Sequence, residues 1–94
     1  MHDIDIGLLR TFIIMAETEN FTRTAKRVHR SQSAVSMQIA KLEELLECKL
    51  FQRNKRNVRI TVEGEKLRSY ASQIIRLSDN LLDQFNQPYV EGNI

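Results

Sequence analysis

Cysteine, proline and glycine are scarce in this chain, with one, one and three residues among 94. A lone cysteine, Cys48, cannot form an internal disulfide and leaves a cysteine-based zinc site unsupported. It fits a reducing cytosol, and packing is its expected job. The glycines Gly7, Gly64 and Gly92 are scattered, so no phosphate-cradling loop is present. His2 and His29 offer no metal-ligand spacing. No apolar run approaches the ~20 residues of a membrane span, and no cleavable signal pattern is seen. Repeats and low-complexity segments are also missing. With 41% apolar residues, the chain can bury one modest core, and nothing suggests a second. Ser31, Ser33 and Ser36 have His29 nearby, but a nucleophile needs an aligned base and an orienting acid. Serines at a helix start serve better as caps and donors. Neither catalysis nor a cofactor is expected.

What the chain does have is an uneven charge. Its formal net charge is +2. Residues 1–20 set Arg10 against four acids, a net of −3. Residues 21–60 hold ten Lys or Arg against Glu43, Glu44 and Glu47, a net of +7. Residues 61–94 hold three bases against five acids, a net of −2. A charge run is ordinarily a solvated face, so its meaning depends on what shares the segment.

That segment contains FTRTAKRVHRSQSAVSMQI, residues 21–39, which has the pattern of two short helices broken by a tight turn. Thr22 is expected to cap the first, with Ala25 and Val28 inward and His29 and Arg30 filling the break. Ser31 is expected to cap the second through its hydroxyl. Ala34, Val35, Ile39 and Leu42 then share a buried side. The other side shows Gln32, Ser33, Ser36, Met37 and Gln38. Amides and hydroxyls on the exposed N-terminal turns suit the reading of base edges in duplex DNA.

The surrounding elements complete a winged helix-turn-helix. A first helix is expected from a cap at Asp5 to about Glu19, with Leu8, Leu9, Phe12 and Ala16 inward. The helix begun at Ser31 extends to about Leu46. Residues 50–53 and 58–60 suggest two short strands around the polar turn Asn54-Lys55-Arg56-Asn57. This hairpin gathers Arg53, Lys55, Arg56 and Arg59. By itself it is a soluble surface turn; after a two-helix motif it suits phosphates or an arginine placed in the minor groove. Thr61 then caps a long final helix, with Glu63 and Glu65 at its positive end, running to Gln87 before Pro88. The expected fold class is mainly α: three helices, a two-stranded wing and a long last helix. The expected divisions are a DNA-binding domain at 1–61, with the helix-turn-helix at about 21–40 and the wing at about 50–60, a linker helix at 62–88 and a tail at 89–94.

The last helix carries an apolar seam. Leu67, Ile74 and Leu81 are seven apart, Tyr70 and Leu77 repeat that interval, and Ala71 and Phe85 flank the stripe. Such a stripe exceeds what so small a domain can cover, so it is expected to pair with the same helix of a second copy. The alternative is that it folds back on its own domain. Ile75 and Leu82 lie off the seam.

Five stretches carry a specific resemblance: LLRTF (8–12), NFTRTA (20–25), SQSAVSMQIAKLE (31–43), LFQR (50–53) and VRITVEG (58–64). Together they resemble, in register over about residues 4–65, the N-terminal DNA-binding domain of LysR-type transcriptional regulators. The resemblance implies a bacterial transcription factor, cytoplasmic and nucleoid-associated. It implies a homodimer on an interrupted palindromic operator and a tetramer in the full-length protein. A small-molecule effector would act only through a C-terminal sensing domain missing from this chain, which therefore looks like a DNA-binding fragment.

The resemblance also assigns residues. Gln32 occupies the family's major-groove glutamine position, with Ser33 where proline is common. Ser36 matches a residue facing bases or nearby phosphates, and Gln38 a phosphate-facing position one turn on. Thr22 and Arg23 match backbone-contacting positions; Arg53 and Arg56 match the wing arginines. Lys55 stands where many members have glycine. Arg30 replaces a usually apolar turn residue and is placed to reach DNA. Met37 replaces a frequent arginine, removing a guanine or phosphate contact. Glu47 replaces a helix-ending glycine, at about 1 kcal/mol if its backbone is left-handed.

Two competing readings remain at this level. One is a protein-docking module built on the same fold; it needs apolar anchors on the second motif helix, where only Met37 qualifies. The other is non-specific duplex binding through the wing and phosphate contacts alone.

Overall fold

The computed structural model describes residues 3–86. Gln87, Pro88 and the tail at 89–94 lie outside the described residues, as does His2. The chain forms α1 (Ile6–Thr18), α2 (Phe21–Val28), α3 (Gln32–Leu46), β1 (Phe51–Arg53), β2 (Val58–Ile60) and α4 (Val62–Asn86). This is the winged helix-turn-helix with a long last helix that the pattern predicts.

Each helix start has a side-chain acceptor for a backbone N–H that the helix leaves unpaired. Asp5 accepts from Gly7 N at 2.7 Å and Ser31 from Ala34 N at 3.0 Å. Thr61 Oγ1 accepts from Gly64 N at 2.9 Å and donates to the Lys49 carbonyl at 2.7 Å. One expected cap is corrected. Asn20, not Thr22, caps α2, its Oδ1 accepting from Arg23 N at 2.8 Å. Phe21 is already helical, which puts Thr22 inside the first turn, two residues too late to cap it.

The first three helices end alike. Glu19, His29 and Glu47 have φ of 49°, 57° and 55°, the left-handed conformation that glycine adopts without cost. Glu47 N–H thereby reaches the carbonyls of Glu43 and Glu44.

The core brings Leu9, Phe12 and Met15 of α1 against Val35, Ile39 and Leu42 of α3, all essentially inaccessible to water. Phe12 and Phe51 meet with ring centroids 5.6 Å apart and planes tilted by 52°, which ties β1 to α1. Ala34, expected inside, is only half-buried. The strands pair antiparallel, Phe51 opposite Ile60 and Arg53 opposite Val58. Gly64 has a steric reason to be glycine: an added Cβ would lie 2.4 Å from the Leu50 carbonyl oxygen and 2.5 Å from Ile60 Cγ1. That close approach seats the start of α4 on the wing.

The first half of α4 packs on α1, and Arg10 donates to Asp79 at 2.6 Å farther along. The apolar seam therefore splits. Ala71, expected at a partner's surface, is fully buried in its own core, and Leu67 and Ile75 pack against that core too. Ala71 has no surface left to give a partner, which corrects its placement. Tyr70, Ile74, Leu77, Leu81, Leu82 and Phe85 remain exposed, Phe85 at 80%.

Candidate nucleic-acid interface

The cap at Ser31 starts α3 so that Gln32 and Ser33 occupy its exposed first turn. Ser36 follows half-buried, and Met37 stands 71% exposed. Thr22 Oγ1 lies 3.4 Å from Gln32 Oε1, a long hydrogen bond that joins the start of α2 to the start of α3. Gln38, expected to face phosphate, is less open than Gln32 or Ser33. It is half-buried, and its Oε1 is sealed from water without a hydrogen-bond partner, because this position turns towards the side of α3 that carries Val35, Ile39 and Leu42.

The wing is built by asparagine. Asn54 Oδ1 accepts from Arg56 N at 2.9 Å and Asn57 N at 2.7 Å, while Asn54 N donates to the Asn57 carbonyl at 3.0 Å. With its backbone satisfied locally, the turn presents Lys55 and Arg56 outward. Arg53 turns back, and its guanidinium Cζ sits 4.4 Å from the centre of the Phe21 ring. Wing and α2 are thus linked by a cation on an aromatic face.

Two carboxylates that looked from the sequence like mere counter-charges hold the wing in place. Glu43 Oε2 accepts from Leu50 N at 2.9 Å and Phe51 N at 3.4 Å. Glu19 Oε2 accepts from Ile60 N at 2.8 Å across 41 residues of sequence. One strand hangs from α3, the other from the end of α1. Between α3 and the wing runs an open groove lined by Ser36, Ala40, Glu43, Gln52, Arg53 and Arg59.

The electrostatics favour an anionic partner. Among the described residues, ion pairs engage Arg10, Arg27, Lys49 and Arg68. Arg23, Arg30, Arg53, Lys55, Arg56 and Arg59 are in none of them and lie exposed around α2, the turn and the wing. The structure thus joins Thr22 to Gln32 and sets Ser36 and Arg53 on one groove, with Arg23 in the first turn of α2 and Ser33 in the first turn of α3. Arg30 lies in the turn, and Lys55 and Arg56 occupy the wing tip. Residues passed over in the sequence are Gln52, the cross-strand partner of Arg59 on the wing, and Phe21 beneath Arg53. Alternation along the strands could have flagged Gln52; nothing local signals Phe21. No group of three or more His, Cys, Asp or Glu that could hold a metal occurs among the described residues. No helix there is long and apolar enough to cross a membrane.

Residues 6–65 match the family described as bacterial regulatory helix-turn-helix protein, lysR family. The chain belongs to this family. It is 42% identical over 79 residues to the HTH-type transcriptional regulator DgdR of Burkholderia cepacia, covering 84% of this chain and 27% of that protein. It is 35% identical over 92 residues to the HTH-type transcriptional regulator PecT of Dickeya dadantii (strain 3937), covering 98% of this chain and 29% of that protein. The chain thus spans less than a third of the length of these relatives. Its fold superimposes with a TM-score of 0.83 on the BenM DBD in its crystal structure with catB site 1 DNA, at 30% identity over 89% of this chain and 94% of that one.

Proposed function

We propose that this chain is the DNA-binding part of a LysR-type transcriptional regulator, reading duplex DNA sequence-specifically as a homodimer. The observation that carries this reading is the first turns of α3. Gln32, Ser33 and Ser36, all hydrogen-bonding side chains, are offered there beside a wing whose cations have no ion-pair partner among the described residues. In this reading α3 enters the major groove, where Gln32 and Ser33 face base edges and Ser36 faces bases or the adjoining phosphates. Thr22, Arg23, Arg30, Arg53, Lys55 and Arg56 neutralise or bond phosphates, the wing lying at the minor groove.

Pairing would use the exposed side of α4, through Tyr70, Ile74, Leu77 and Leu81, with Leu67 at its edge. Two copies related by a two-fold axis would then read an interrupted palindrome. Working divisions are a DNA-binding domain at 1–61, a linker helix at 62–88 and a tail at 89–94. A cytoplasmic, nucleoid-associated location, a tetramer, and a small-molecule effector acting through a further domain belong to the same reading of the whole regulator.

Selection from random duplex DNA, with affinities of the enriched sequences measured at two salt concentrations, tests it. An enriched interrupted palindrome is expected. Steeply salt-dependent binding without enrichment would leave only a basic fold holding phosphates. No binding at all would favour docking to a protein.

A further inference from the structure

The contacts proposed above leave unused one exposed side chain of α3. Met37 is 71% exposed, although methionine is an apolar residue that elsewhere in this chain, as Met15, is fully buried. It takes no part in the hydrophobic core. Its neighbours on the helix surface are Ser33 and Ala34 one turn before and Ala40 and Lys41 one turn after. The first three are short, so the thioether stands above the face they form. When this face lies in a groove, Met37 is turned towards the base edges. Lys41, the next long residue, is one turn farther along, where a flexible amine can reach out to phosphate.

The chemistry of the side chain then selects what it meets. Methionine donates no hydrogen bond, and its sulfur is a weak acceptor. Its flexible chain fits itself to irregular apolar surfaces. Along the major-groove edges of the four base pairs, one feature is apolar, the C5-methyl group of thymine. A phosphate would gain nothing from this side chain. A protein partner would need further apolar anchors, and Ser33, Ser36 and Ala40 supply none of useful size.

We propose that Met37 is a specificity-determining residue that selects thymine by packing on its C5-methyl group. This inference rests on the DNA-reading function proposed above. It makes the face of α3 a mixed reader, with hydrogen bonds at Gln32 and Ser33 and an apolar contact at Met37.

The test replaces the thymines of the enriched duplex, one position at a time, by deoxyuridine, which removes the methyl group and keeps base pairing. Wild type and Met37→Ala are compared on each duplex; an exposed side chain can be shortened without disturbing the core. At one thymine of each half-site, deoxyuridine should weaken wild-type binding about fourfold, the effect of removing one methyl from an apolar contact. Changing both half-sites should cost about fifteenfold. Met37→Ala should bind the thymine and deoxyuridine duplexes equally at that position. Selection repeated with Met37→Arg should exchange the thymine for guanine, the partner of an arginine in this groove. The inference is overturned if no thymine methyl matters, or if Met37→Ala keeps the wild-type discrimination. In either case the sequence reading itself stands, because the duplex was enriched. Absence of any enrichment would overturn both together.

Discussion

Removing the Glu43 side chain should loosen the wing far more than a surface acid normally would. Its side chain is only 12% exposed, and Oε2 accepts from Leu50 N at 2.9 Å and Phe51 N at 3.4 Å. Glu43→Ala strips a partner from two partly buried N–H groups, each worth about 1–3 kcal/mol when left unsatisfied. The Phe51 bond is long and belongs at the low end. The Lys49 amine, 3.9 Å away and 80% exposed, adds little. The better helix propensity of alanine returns about 0.4 kcal/mol. A loss of about 2–4 kcal/mol follows. Glu43→Gln keeps an acceptor oxygen and exchanges a charge-assisted bond for a neutral one, so it should lose only about 1 kcal/mol. Urea unfolding followed by circular dichroism, at one fixed protein concentration because pairing would add stability, separates them. With a slope of about 1.3 kcal/mol/M, the alanine midpoint should fall by about 1.5–3 M and the glutamine midpoint by less than about 1 M. Equal midpoints for the two variants, or an alanine loss below about 0.5 kcal/mol, would refute the clamp.

Glu47→Gly should raise stability by about 1 kcal/mol in the same assay, since φ of 55° strains a residue with a Cβ. Gly64→Ala should destabilise by about 1–3 kcal/mol, because its Cβ would press on the Leu50 carbonyl, which is backbone and yields poorly. Gln32→Ala should cost roughly 1–3 kcal/mol on the selected duplex and relax the preference there, whereas Arg56→Ala should weaken all duplexes alike and reduce the slope of log K against log salt by about 0.9. If both variants behave alike in a salt titration on matched and mismatched duplexes, the division between reading and positioning is wrong. Ile74→Asp should halve the mass found by sedimentation, and an unchanged mass would remove the exposed side of α4 from the interface.

Much of this molecule is legible along the chain because the signals are local. A hydroxyl or carboxylate at Asp5, Ser31 and Thr61 caps a helix within three residues of itself. The turn at Asn54 closes on its own backbone, and the spacing of Leu8, Leu9 and Phe12 marks one helix face. These local rules give the order of elements, the two-helix motif and the basic wing. They misplace the cap of α2 by two residues, because Asn20 and Thr22 are both acceptable cap types and the choice depends on where the chain leaves α1.

Other features depend on residues far apart in the sequence, and the folded chain alone decides them. Glu19 and Glu43 count as two negative charges in a composition, yet the fold makes them acceptors for backbone groups of the wing. Gln38 follows Met37 in the chain, yet the rotation of α3 against its neighbours half-buries one and leaves the other bare. The heptad of α4 contains Ala71 with Tyr70, Ile74 and Leu77, and only the docking of α4 on α1 sorts them into an internal side and an open one. Periodicity determines which residues share a helix face. Which way that face points is set by every other surface competing to be buried.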